Sequence, residues 1–303
     1  MRASHTATGP SMSESASRRG ALVAMILLTL IWSYNWIVMK EVLRDCGPFH
    51  FAAWRAVLAT GVLFAVILLR GESLRPPPWR STLAIGLAQT TGFQALVQSA
   101  LVTGGAGKTA LLAYTMPFWL LLLAWIALGE RPRPLQWASI GLAGLGLLLV
   151  LEPWHGFAAS SSALLALASG LCWAVAVVLS KRLLAGRGLS PLRLTAWQML
   201  FGTIGLVAIA LVVPERPIAW TVPFIAALAY NAVLASGLAW VMWSVVVQRL
   251  PATVAGITSL AVPLTGVLLA WALLGERPGR IESIGIALLA VAMLGITRAP
   301  RAS

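Results

Sequence analysis

Acidic side chains are scarce in this chain: nine Asp and Glu stand against 22 Lys and Arg. They are Glu14, Glu41, Asp45, Glu72, Glu130, Glu152, Glu215, Glu276 and Glu282, and each falls in a tail, a loop or the end of an apolar run. Proton relays through membranes use buried Asp, Glu or His, so coupling through a buried carboxylate is not expected. The three histidines, His5, His50 and His155, lie in the tail or near the ends of apolar runs. No His/Glu set is therefore spaced to hold a metal or to cut a peptide. Cys46 and Cys172 are too few for a disulfide framework. The stretch "GGAGKT" (Gly104–Thr109) lacks the spacing of a phosphate-binding loop and reads as a turn that starts a helix. No metal, no cofactor and no enzymatic activity are expected.

Charge of either sign is also rare, at 10% of residues, where a soluble domain carries about 25%. With 59% hydrophobic residues and a mean hydropathy of +0.87, the chain reads as a polytopic protein of the lipid bilayer. The net charge of +13 does not imply a nucleic-acid partner, because Lys and Arg sit in short gaps between apolar runs. Residues 1–20 are polar and rich in small side chains, and read as a disordered tail. Arg18 and Arg19 precede an apolar run that is too long for a signal peptide and ends without a cleavage site, so it is read as a retained first helix.

Runs long enough to span fall near 21–40, 50–69, 81–102, 109–128, 135–151, 162–180, 193–213, 219–247, 252–274 and 281–297. The fold class expected is an all-α membrane protein of ten transmembrane helices. With the N-terminus inside, fifteen Lys and Arg fall on the cytoplasmic side and six outside, with Arg55 left within a helix. That excess places both termini in the cytoplasm.

The chain also repeats itself. "LLAWIALGERP" (Leu122–Pro132) returns as "LLAWALLGERP" (Leu268–Pro278), and Pro117 and Trp125 pair with Pro263 and Trp271 at the same offset of 146 (263 − 117). Trp32 and Lys40 pair with Trp173 and Lys181, and Pro48 and Trp54 with Pro191 and Trp197. Two five-helix halves follow, 21–153 and 154–298, flanked by tails 1–20 and 299–303. Five is odd, so the second half must enter the membrane inverted, which is a transporter architecture.

Two halves that each close their fourth helix with "LGERP" resemble the EamA family of the drug/metabolite transporter superfamily. The first-helix patterns "IWSYNWIVMK" (Ile31–Lys40) and "CWAVAVVLSK" (Cys172–Lys181) strengthen the resemblance, which covers Ala21 to Thr297. It implies a bacterial inner-membrane carrier of small metabolites, many such carriers being amino-acid exporters. The lack of an intramembrane glutamate tells against the small multidrug pumps of the same superfamily.

Polar groups at membrane depth need partners, so they face other helices, water or a ligand. The third helix holds Gln89, Thr90, Thr91, Gln94 and Gln98, with Thr90, Gln94 and Gln98 on one face. The eighth carries Tyr230, Asn231, Ser236, Trp240 and Trp243; the first adds Trp32, Ser33, Tyr34 and Asn35; the sixth adds Trp173. Substrate-binding candidates are Trp32, Asn35, Gln89, Gln94, Gln98, Tyr114, Trp173, Tyr230, Asn231 and Trp240, in a cavity between helices 1, 3, 4, 6, 8 and 9. The competing reading is interhelical bonding, worth about 0.6 kcal/mol per pair. Tyr114, Phe118, Leu121 and Trp125 form a stripe that packing alone could explain.

Pro117 and Pro263 free the carbonyls of Ala113 and Ser259 and read as hinges or as static bends. Arg55 is read first as snorkelling to the interface; pairing with Asp45 or Glu41, holding a substrate carboxylate, or a gating role stay open. Gln198 stands in its place in the second half. Lys40 and Lys181 fit interface anchors or a gate. Small residues of the fifth and tenth helices, Gly141, Gly144, Gly146 and Gly285 among them, suit packing between halves or in a homodimer. The function expected is export or exchange of neutral or aromatic amino acids by alternating access. The alternatives are a carrier of nucleotide sugars or phosphorylated compounds, which would need deep Lys or Arg, or a non-transporting scaffold.

Overall fold

The computed structural model describes residues 12–128, 134–151, 157–184, 189–243 and 252–298. Among them every regular element is helical. Ten helical units follow one another: α1 (Met12–Glu41), α2 (Pro48–Leu69), α3 (79–103), α4 (106–128), α5 (Pro134–Leu151), α6 (Phe157–Leu184), α7 (Pro191–Val212), α8 (222–243), α9 (Ala252–Leu274) and α10 (Arg280–Arg298). Six stretches are long and apolar enough to cross a membrane: one in α1 and the turn that follows it (Ile26–Arg44), and one each within α2, α4, α6, α7 and α8. The amides and hydroxyls of α3 keep it out of that set. α1 begins at Met12, so much of the tail expected to be disordered is helical. Met, Ala, Glu and Arg in that stretch are adequate helix formers, and extending an existing helix carries no nucleation cost.

Three units are irregular, each in its middle. α3 turns into a π-helix over Leu87–Gly92, and α8 does so over Tyr230–Leu238. The two segments start 143 residues apart (230 − 87). α4 breaks at Tyr114–Thr115, between Ala106–Ala113 and Met116–Leu128. Pro117 supplies the cause, since it cannot donate to Ala113. The freed Ala113 carbonyl points at Gly170 of α6, where an added Cβ would stand 2.8 Å from it. Pro263, by contrast, lies inside the continuous α9, so the mirrored prolines do not act alike.

Three pairs of helices equivalent by the repeat pack on each other antiparallel. In α2 and α7, Thr60 hydrogen-bonds Thr203 at 3.1 Å, 143 positions away, and Phe64 meets Trp197 edge-on. In α5 and α10, Gly146 meets Gly285 while Ser139 meets Gly295. In α4 and α9, Gly107 faces Ala270 while Ala110 faces Gly266. Two further contacts exchange under the same swap, α1 on α9 against α6 on α4, and α3 on α7 against α8 on α2, whereas α3 packs far more extensively on α6 than α8 does on α1 among the described residues. Lipid supplies no hydrophobic drive between helices, so close backbone approach does the packing. An added Cβ on Gly86 of α3 would stand 2.4 Å from the Gln198 carbonyl, and one on Gly202 of α7 2.3 Å from Thr90. The small residues of α5 divide: Gly146 packs on α10, whereas Gly141 and Gly144 have nothing within 4 Å.

Helix starts at one end of the bundle are completed from afar. α2 and α4 begin behind Gly47 and Gly105, neither of which has a capping side chain. Glu215, in the turn before α8, accepts from the N–H groups of Phe49 and His50 at 2.8 Å each. Glu276 accepts from Ala106 and Gly107 at 2.8 and 3.1 Å. A Cβ at Gly47 or Gly105 would collide with these carboxylates, at 2.3 and 2.8 Å. Gly275, at φ 69°, ends α9 in the left-handed conformation and turns Glu276 across to α4. The second "LGERP" is thus a helix stop joined to a helix cap, and Glu130 of the first lies outside the described residues. At the opposite end Glu72, 143 before Glu215 (215 − 72), accepts from Ser190 Oγ at 2.7 Å, and Ser190 caps α7. Lys40 is no free interface anchor: its Nζ donates to Leu101 and Gly104 carbonyls at 2.6 and 2.8 Å, closing the end of α3.

Cys46 is 1% exposed, between α1 and α2. Burial, and then Glu215, push its thiol up to about 12. At pH 8 a maleimide finds about one thiolate in ten thousand there, so labelling is expected only after denaturation; fast labelling of the folded protein contradicts the placement. For the packing, Gly202→Leu is expected to destabilise by about 3 kcal/mol in detergent melts. Gly141→Leu, facing open space, is expected to change stability by less than about 0.5 kcal/mol.

Candidate functional site

One face of α1 presents Trp32, Asn35, Trp36 and Met39, at i, i+3, i+4 and i+7, to the middle of the bundle. Arg55 of α2, Phe93 and Gln94 of α3, Tyr114 of α4, Trp173 of α6, and Ala235 and Trp240 of α8 complete the lining around them. The cavity measures about 40 Å³, room for a few waters. Anything larger than that would need these helices to separate.

Aromatic rings form most of the wall, and they touch one another edge-on or tilted. Trp173 packs on Tyr114 at 5.2 Å, Phe93 at 5.4 Å, and Trp32 and Trp240 at 6.4 Å each, between ring centroids. Trp32 reaches Trp240 at 5.3 Å and is fixed by donating its Nε1–H to the Ala235 carbonyl at 3.0 Å. Trp36 meets Tyr114 at 6.4 Å. Offset and edge-on contacts of this kind stabilise a rigid wall beyond the area buried.

Polar groups interrupt this wall at few points. Asn35 Oδ1, Gln94 Oε1 and Trp173 Nε1 are buried without a hydrogen-bond partner. In a low dielectric such atoms call for water or ligand. Arg55, 4% exposed, donates to Met39 Sδ at 2.9 Å and Ser236 Oγ at 3.2 Å, with Phe51 5.9 Å beneath its guanidinium. The snorkelling expected from sequence is overturned, and so is a pairing with Asp45 or Glu41. The side chain runs inward, because α1 and α8 cover it where lipid was expected.

The structure brings together six of the ten binding candidates: Trp32, Asn35, Gln94, Tyr114, Trp173 and Trp240. Gln89, Gln98, Tyr230 and Asn231 lie outside the lining. Gln98 continues the Gln94 face one turn beyond the cavity and is fully buried. Thr90 leaves that face because the π turns change the register, and its hydroxyl meets Met199 on α7. Tyr230 donates its hydroxyl to the Ile31 carbonyl at 2.6 Å, bonding α8 to α1. Asn231 donates to Ala227 in its own helix at 3.4 Å, with Oδ1 unpartnered. Among the described residues α9 contributes nothing to the lining, and α2, through Arg55, takes its place. Trp36, Met39 and Phe93 were missed, although Trp36 and Met39 follow Trp32 at helical spacing.

The profile of the EamA-like transporter family matches residues 19–152 and again residues 160–298. The chain belongs to that family. It is accordingly a multi-pass membrane transporter of the drug/metabolite type. Its EamA relatives include the uncharacterised transporter YoaV of Bacillus subtilis, 25% identical over 262 residues, covering 84% of this chain and 89% of that one. A probable amino-acid metabolite efflux pump of Salmonella typhimurium is 27% identical over 287 residues, and one of Escherichia coli 26% over 284, each covering 90% of this chain and 93% of the relative. A solved crystal structure shares the EamA chain's fold with a TM-score of 0.66, at 22% identity, over 93% of this chain and 98% of that one.

Asn35→Leu removes an unpartnered buried carbonyl at similar volume. It is expected to raise stability in detergent melts by about 1 kcal/mol while lowering transport; a loss of stability would mean that Asn35 is bonded in the resting protein.

Proposed function

We propose that this transporter moves small neutral amino acids, aromatic ones foremost, through the central cavity by alternating access between two inverted halves, 21–153 and 154–298. The observation that carries the reading is the cavity wall: six aromatic rings enclose unpartnered oxygens of Asn35 and Gln94. Rings suit an apolar side chain, and amide oxygens accept from an ammonium group. Antiparallel packing of equivalent helices supports the inversion, since a two-fold axis in the membrane plane pairs each axial helix with its reversed copy. The amino-acid metabolite pumps at 26 and 27% identity point the same way.

Arg70, Arg75, Arg80, Arg182 and Arg193 lie at the end of the bundle carrying Glu72, which we assign to the cytoplasm of a bacterial inner membrane. The end with Cys46, Glu215 and Glu276 is then periplasmic. Described carboxylates sit only at helix ends or in the turns between helices, which favours exchange or downhill export over proton coupling. A phosphorylated substrate would call for several cations, and among the described residues Arg55 alone lines the cavity.

Radiolabelled amino acids, counterflowed through vesicles of the purified protein, test the reading. Phenylalanine, tryptophan or leucine is expected to exchange, with Gln94→Ala and Trp173→Ala each lowering the rate at least tenfold. Undiminished exchange in both variants would move the site elsewhere.

A further inference from the structure

Arg55 is a buried cation without an anion. It is 4% exposed, and among the described residues no carboxylate lies within salt-bridge distance of it. Its two hydrogen bonds go to a thioether and a hydroxyl, weak or neutral acceptors for a group with five N–H donors. Desolvating a charge costs several kcal/mol unless it is paired, so a guanidinium at this depth marks a place where an anion is received. The charge is also one-sided. Gln198 occupies the equivalent position of α7, 143 residues on (198 − 55), and does not line the cavity. Lys40, the nearest basic residue of α1, is spent on the end of α3.

We propose that Arg55 is the carboxylate-binding residue of the central cavity and makes a carboxylate an obligatory feature of the substrate. A single planar guanidinium matches one carboxylate through two parallel hydrogen bonds. One positive charge neutralises one negative charge, which favours a carboxylate over a doubly charged phosphate. The Phe51 ring beneath, with Met39 and Ser236 alongside, holds the fork in place, and two hydrogen bonds to weak or neutral acceptors are readily exchanged for a carboxylate. Asn35 Oδ1 and Gln94 Oε1, in the same lining, then face the ammonium end of a zwitterion. The assignment rests on the cavity being the transport site, but not on the substrate being an amino acid.

The test uses the full chain, with four phenyl compounds that differ in one group each: phenylalanine, phenylalaninamide, phenylpropionate and phenethylamine. Leucine with leucinamide, and phenyl phosphate, run in parallel. Each is titrated against thermal unfolding in detergent and as a competitor of counterflow, with wild type, Arg55→Lys and Arg55→Gln. Acids are expected to stabilise and compete at least tenfold more strongly than their amides or amines. Arg55→Gln is expected to reduce that ratio to within twofold, and Arg55→Lys to keep part of it. A purely structural Arg55 would lower stability or rate without moving the ratio.

The proposal is overturned if amides match acids in the wild type, or if acid preference survives Arg55→Gln. It is equally overturned if phenyl phosphate outcompetes every carboxylate, or if no carboxylate acts at all. Should phenylpropionate act and phenylalanine not, Arg55 keeps its role and the amino-acid reading fails. If Arg55→Gln does not fold, the wild-type ratios and the Arg55→Lys ratio decide.

Discussion

A helix that starts near a membrane surface presents backbone N–H groups that have no partner within the helix. In this fold, two such starts are completed by carboxylates from the other half of the chain, Glu215 on α2 and Glu276 on α4. Each carboxylate accepts two N–H bonds at the positive end of the helix dipole. Each approach depends on a glycine, Gly47 or Gly105, that leaves room for it. The contacts do chemical work as caps and mechanical work as ties. They hold the halves together at one end of the bundle, and the alternating access proposed above would have to weaken them to open that end.

The cap also gives the second "LGERP" a physical role. Leucines finish the helix, Gly275 reverses the chain, and Glu276 reaches a distant helix start. The pairing of Glu215 and Glu72 at equivalent positions, each against the start of the other half's second helix, follows the same rule. The pattern was plain in the sequence as a repeat. Its physical purpose was not, because a cap supplied from 170 residues away leaves no local spacing to read.

Most of the architecture was legible for simple reasons. Ten apolar runs with polar gaps require helices, and matched Trp, Pro and Lys in one order require a repeat. The cavity was partly legible. Trp32, Asn35 and Gln94 announced themselves as polar or aromatic groups at membrane depth, and helical spacing from Trp32 leads to Trp36 and Met39. What the sequence hid were changes of helical register. The π turns in α3 and α8 reassign faces, so Thr90 parts from Gln94, and Asn231 turns away from the lining. No side-chain pattern marks such a turn, because it reflects how neighbouring helices constrain the backbone. Irregular backbone at this depth is tolerated only where protein or a cavity covers it.

Arg55 shows why a local reading of charge fails in a bundle. Eight residues into α2, an arginine on a single helix would reach back to the interface. Here α1 and α8 close over it, and the side chain is held inside by Met39, Ser236 and Phe51. The scaffold is close to symmetric, with equivalent helices meeting antiparallel and Thr60 bonded to its own counterpart Thr203. The chemistry is not, since one half supplies the charge and the other a neutral Gln198. On the reading proposed above, a nearly symmetric scaffold opens to either side with similar ease, and the single charge gives a bound carboxylate one orientation. Pseudo-symmetry would then serve the motion, and the departure from it recognition.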